Sequence, residues 1–72
     1  MRVSFDPEAN MAYIKFVDRP GTGEAIRQVA VSEPGGPRIV LDLDREGTLI
    51  GIEVFDARES LPAELLDQAA RS

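Results

Sequence analysis

The 72-residue chain has no cysteine and no histidine. Without cysteine no disulfide can staple the fold, and the usual zinc ligand sets are excluded with it. Loss of both residue types also removes the common nucleophile–base pairs of covalent catalysis. Lysine and tyrosine each occur once, as Lys15 and Tyr13. No apolar run approaches the ~20 residues of a membrane span, and the opening MRVSFDPEAN has no apolar core of a signal peptide. These absences lead us to expect a cytoplasmic protein with no cofactor and no membrane partner.

A chain this short buries only about 60% of the surface its unfolded form exposes. Its core must suffice alone, or association with another chain must help. Hydrophobic residues make up 43% and charged residues 29%, the balance of a folded globular domain over 1–72. The formal charge of −5 is unevenly placed. Residues 42–67 hold eight acids and two arginines, a net −6, and the rest of the chain is +1. Such an acidic half repels nucleic acid and suits a basic protein partner, or simply keeps a small domain in solution. The eight basic residues are scattered, with no aromatic cluster among them, which also argues against nucleic acid.

Along the chain, short alternating segments are separated by turn chemistry. Strands are expected at about 2–5, 11–17, 24–32, 38–44 and 48–55. Asp6 and Pro7 begin a turn in which Asn10 tolerates a left-handed backbone. DRPGTG reads as a loop. Within 24–32, Ile26 breaks the parity of Ala25, Val29 and Val31, which a β-bulge near Arg27 and Gln28, or a different register, would reconcile. EPGG is a turn with Pro34 and Gly35 at its centre. REG joins two strands as a three-residue hairpin loop, with Gly47 left-handed.

The C-terminus changes period. Leu61, Leu65, Leu66 and Ala69 form one stripe, so a helix is expected at about 61–70, with Ser60 as cap and Pro62 in its first turn. About ten residues are too few for a stable isolated helix, so it must dock on the sheet. The expected fold is therefore α+β: an antiparallel β-meander of about five strands with one short C-terminal helix packed on one face. Both sides of TLIGIEVF are largely apolar, and one helix cannot cover both. A homo-oligomer or a partner protein is the inference, with loops folded over the open face as the alternative.

LDLDREGTLIGIE, residues 41–53, has the acid spacing of an EF-hand loop. Asp42, Asp44 and Glu46 stand at positions one, three and five, Gly47 at six and Glu53 at twelve. Strands flank it where helices are required, and Ile50 occupies a position that is usually polar. It reads as a hairpin, with no metal ligands assigned. Asp44 shapes the turn by bonding its amides, and Gly51, costly within a strand, marks a close approach. Glu53 lies between Ile52 and Val54, and a carboxylate there needs a partner, such as Arg38 across the hairpin or an arginine of a neighbouring subunit.

FDPEANMAYIKF, VLDLDREGTLIGIEVFDA and LPAELL, in that order, resemble the bacterial domain of unknown function 2283 family. The resemblance runs from Phe5 to about Leu66 and rests on Asp6, Pro7, Tyr13, Ile14, Asp44, Gly47, Gly51, Ile52 and Glu53. It implies a compact β-meander with a C-terminal helix, and it brings no catalytic or ligand residues. Through relatives encoded beside small toxin-like proteins, the resemblance also implies an antitoxin-like role.

Several function classes remain. The leading one is a non-enzymatic interaction module, self-associating and binding a basic partner, with a surface that includes Tyr13, Lys15, Glu53 and Asp56. A minimal enzyme or small-ligand binder with its site between subunits is the alternative. Asp6, Pro7, Asp44, Gly47 and Gly51 are assigned to turn shaping.

Overall fold

The computed structural model describes residues 1–17 and 25–71. Its elements are β1 (Arg2–Asp6), β2 (Met11–Lys15), β3 (Arg27–Ser32), β4 (Arg38–Leu43), β5 (Leu49–Phe55), α1 (Ala57–Ser60), α2 (Ala63–Gln68) and β6 (Ala70–Arg71). One sheet has the order β3-β4-β5-β2-β1-β6, antiparallel except where β6 runs parallel to β1. The fold is the α+β class expected, with a sixth, two-residue strand and a second helix. Two neighbours in this order are non-sequential: β6 adds to β1, and β5 pairs with β2, so the hairpin β1-β2 and the meander β3-β4-β5 join edge to edge. The loop expected over DRPGTG and the start of the third strand at Glu24 lie outside the described residues.

The three turns follow their side chains. Asp6 Oδ1 accepts from the amides of Glu8 and Ala9, and Asn10 takes φ 55. The Gly36 amide closes on the Glu33 carbonyl at 2.8 Å, with Gly35 at φ 76 after Pro34. Asp44 Oδ1 accepts from the Glu46 and Thr48 amides, both at 2.9 Å, and Gly47 stands at φ 83.

Register assigns the faces, because directly opposite residues share a side of the sheet. The rows Phe5–Ala12–Val54–Ile39–Val31 and Val3–Ile14–Ile52–Leu41–Val29 form one face, apolar throughout. Phe5, Ala12 and Val54 are buried there beneath Ala57 and Leu66, with Leu61 and Ala69 packed alongside. The helices therefore cover the β1-β2-β5 end of this face. At the far end Val31 remains 44% exposed.

The helix expected over about 61–70 is present as α2, shortened to Ala63–Gln68, and the unexpected α1 precedes it. Pro62 drives its predecessor out of the α region, and Leu61 is extended at φ −119, ψ 152. α1 thus ends at Ser60, and α2 begins after Pro62. Ser60 is not a cap: its hydroxyl donates to the Phe55 carbonyl. α1 is anchored instead by Asn10, whose carbonyl and side-chain oxygens receive the Ala57 and Arg58 amides.

The bulge suggested near Arg27 and Gln28 is not in the paired part of β3, which is regular from Arg27 to Ser32. Ile26 precedes the strand and is 60% exposed. Its amide reaches the carbonyl of Leu43, the residue that Arg27 also faces, and the parity breaks there. The register shift lies in the β4–β5 hairpin: Leu43 faces Leu49, while Asp42 faces Gly51, leaving Ile50 extra.

Candidate functional site

The opposite face of the sheet carries the polar residues, in two adjacent rows. One is Gln28–Asp42–Gly51–Lys15–Arg2 and the next is Ala30–Val40–Glu53–Tyr13–Ser4. Tyr13 leans across the strand onto Gly51, and its hydroxyl donates to Asp42 Oδ2 at 2.9 Å. Gln28 Nε2 donates to Asp42 Oδ1 at 2.9 Å and to Glu53 Oε2 at 3.0 Å. Four side chains from four strands thus meet on one surface.

Gly51 makes this possible. A Cβ at 51 would overlap the Tyr13 hydroxyl and stand 2.6 Å from Cζ. The phenol lies where a side chain would be, which explains a glycine inside a strand otherwise made of large side chains.

Asp42 is 5% exposed, the one buried charged group among the described residues. Burial and the Asp42 carboxylate push the Tyr13 phenol up to about 12. Glu53 is raised above its ordinary range, first by desolvation, then by the charge of Asp42 and hydrogen bonding with it. The charge of Asp42 nearby disfavours ionisation of Glu53, which adds to the effect of burial. Among the described residues, the groups that bond this pair from other side chains are a phenol and an amide, both neutral.

Around Tyr13, Asp42 and Glu53 lies an open depression of about 350 Å³, reached by Ser4, Asp6 and Met11. No group of three or more Asp or Glu among the described residues is arranged to hold a metal ion.

The chain belongs to the DUF2283 family. The family model, described as a protein of unknown function, matches residues 2–58, from the first strand into α1. No curated protein matches the chain, and no solved structure does. The DUF2283 match takes in every member of the polar network. It stops short of α2, so LPAELL, counted above in the resemblance, lies outside the matched span.

Of the residues singled out from sequence, Tyr13 and Glu53 stand directly opposite each other. Lys15 is on the same face one row away and is exposed. Asp56 is not part of this group. It sits past the end of β5 at φ 51, where its carbonyl receives the Glu59 and Ser60 amides. There it lines a separate cavity of about 490 Å³ with Asn10, Arg38 and Glu59. Arg38 is not the partner of Glu53. It faces Phe55 in register and stacks its guanidinium on that ring at 4.7 Å.

Asp42 and Gln28 were not read from the sequence as site residues. The available signal was parity: Asp42 interrupts the apolar alternation of Ile39, Leu41 and Leu43 and so falls on the other face.

Proposed function

We propose that this DUF2283 chain is a small, non-enzymatic, cytoplasmic interaction module that self-associates and receives a basic side chain of a partner protein on its polar sheet face. The observation that supports it is the pair Asp42–Glu53, bridged by the neutral amide of Gln28, in which desolvation first and the charge of Asp42 second raise the proton affinity of Glu53. A guanidinium or ammonium group placed on Glu53 offsets the charge of Asp42 and supplies an opposite charge that none of the pair's side-chain hydrogen-bond partners carries among the described residues. Tyr13 and Met11 beside it offer apolar surface for the stem of such a side chain. The acidic half of the chain provides steering toward a basic partner, and an antitoxin-like role with a co-encoded basic protein fits this chemistry.

Affinity capture from the native host with wild-type protein and Glu53→Gln tests the reading. A basic protein retained by the wild type, lost with E53Q and released by salt supports it. Retention of no protein, or equal retention by E53Q, rejects it.

The depression of about 350 Å³ supports a second reading, capture of a small cationic ligand. A thermal-shift series with a guanidinium compound such as agmatine, on wild type and E53Q, separates the two.

A further inference from the structure

β3 is the least buried of the five longer strands: of Arg27–Ser32 only Val29 is half-buried, and the others are exposed. Among the described residues it pairs with β4 on one side, and its other edge faces outward. The strand is regular, six residues long, and free of the proline or lysine that often blunts an edge. Val31 extends the apolar face to that edge while 44% exposed. An edge of this kind is a template for another strand.

We infer that the occupant is a second copy of the same chain, pairing β3 against β3 antiparallel about a two-fold axis at Ala30. This deepens the self-association in the proposed function and rests on it. The register follows from two constraints. Residues directly opposite must share a face, so in a self-pair the two position numbers have the same parity. Centring on Ala30 satisfies this and sets Val29 opposite Val31, Gln28 opposite Ser32, and Ala30 opposite itself. It also sets Arg27 opposite Glu33, the residue after β3, and symmetry makes this pair twice.

Of the two neighbouring allowed registers, the one centred on Val29 sets Arg27 opposite Val31 and Glu33 opposite Ala25, and the one centred on Val31 sets Arg27 opposite Gly35 and Glu33 opposite Val29, with no charge matched in either. The Ala30 register is thus selected by charge complementarity, and Pro34 ends the paired segment just beyond Glu33. Parallel pairing would place Arg27 against Arg27. In the antiparallel dimer the valines of both copies join into one apolar strip, and the two sheets become one.

The test is a charge swap read by sedimentation velocity at low salt. Arg27 and Glu33 are both exposed, so neither change threatens the fold. Wild type is expected at twice 7.9 kDa. Arg27→Glu and Glu33→Arg each set like charges opposite twice, raising the dimer dissociation constant on the order of tenfold or more. The double variant R27E/E33R restores the dimer. Ala30→Cys, in a chain with no cysteine of its own, forms the symmetric disulfide under oxidation.

A monomeric wild type at 100 micromolar order of concentration overturns the inference together with self-association. A dimer indifferent to R27E and E33R, and uncrosslinked through A30C, overturns this register alone and leaves self-association standing.

Discussion

The same five strands present two surfaces that are held in different ways. On the apolar face Phe5, Ala12 and Val54 are buried under Ala57 and Leu66, and stability there scales with the area removed from water. On the polar face Tyr13, Gln28, Asp42 and Glu53 are held by directional bonds around one buried carboxylate. Loss of an apolar contact leaves a void. Loss of one polar partner leaves Asp42 unsatisfied, and the cost is that of desolvation without compensation. One face therefore supplies most of the folding energy, while the other fixes geometry and concentrates charge.

The sharpest break in that comparison is at Leu66. Truncation to alanine removes the side chain that closes the apolar cluster, at an expected ~2–5 kcal/mol. In a 72-residue domain that is a large part of the total, measurable by urea denaturation. Tyr13→Phe, which deletes only the hydroxyl on the buried Asp42 carboxylate, should cost less, about 1.5–3 kcal/mol. Equal costs for the two variants would contradict the division of labour between the faces.

The next effect in size concerns Gly51. Alanine there collides with the Tyr13 phenol, and overpacking of this kind costs about 1–3 kcal/mol. If the collision is the cause, Tyr13→Ala relieves it: the double variant G51A/Y13A should lose less than the sum of the singles. Strict additivity in the denaturation midpoints would mean that glycine is needed at 51 for some other reason.

Titration separates the faces more finely, since both shifted groups lie on the polar one. Glu53 holds its proton more tightly folded than unfolded, so its contribution favours folding at low pH and is lost as pH rises through its range. Glu53→Gln removes that loss. The variant should gain in melting temperature relative to wild type on going from acid to neutral pH. The Tyr13 phenol, at about 12 against 10.0 unfolded, contributes fully below pH 10 and loses its contribution as pH climbs from there toward 12. Tyr13→Phe should flatten that alkaline decline. An E53Q-minus-wild-type difference that is constant with pH would mean that neither desolvation nor the charge of Asp42 raises Glu53.

How far these faces could be read in advance turns on a single residue. The turns at Asp6–Asn10, Glu33–Gly36 and Asp44–Thr48 were legible because each rests on local chemistry: an aspartate oxygen, a proline, a glycine with positive φ. The parity of β5 was legible too. Its alignment with β4 was not. Counted back from Asp44 and Thr48 without a bulge, Glu53 would fall opposite Ile39 on the apolar face. The extra residue at Ile50 moves the pairing by one, and Glu53 falls opposite Val40 with Asp42 on the same surface. Nothing local marks Ile50 as a bulge; its placement is decided by burying Ile52 and Val54 together with Ile39 and Leu41. The step from β2 to β5 was hidden for a similar reason. Long-range pairing depends on which apolar rows match, and several strands here offer similar rows. The two helices are a different case: Pro62 was noticed as a first-turn residue, but its effect on Leu61 outweighed the leucine stripe.

The smallest expected effect concerns the acid spacing of residues 41–53. Asp44 Oδ1 already accepts from two amides, and its role is consumed in closing the turn. Asp42 and Glu53 do approach each other, as an EF-hand would require of its first and twelfth positions, yet they do so on a sheet face. Gln28 bridges them and Tyr13 covers one oxygen of Asp42, with no third acid arranged beside them among the described residues. A calcium ion takes six to eight oxygen ligands, and two carboxyl groups on a flat surface leave most of that shell to water. Millimolar calcium should therefore leave the melting temperature unchanged, in wild type and in E53Q alike. A calcium-dependent rise that E53Q abolishes would turn the polar face from a surface suited to an organic cation into one suited to a metal.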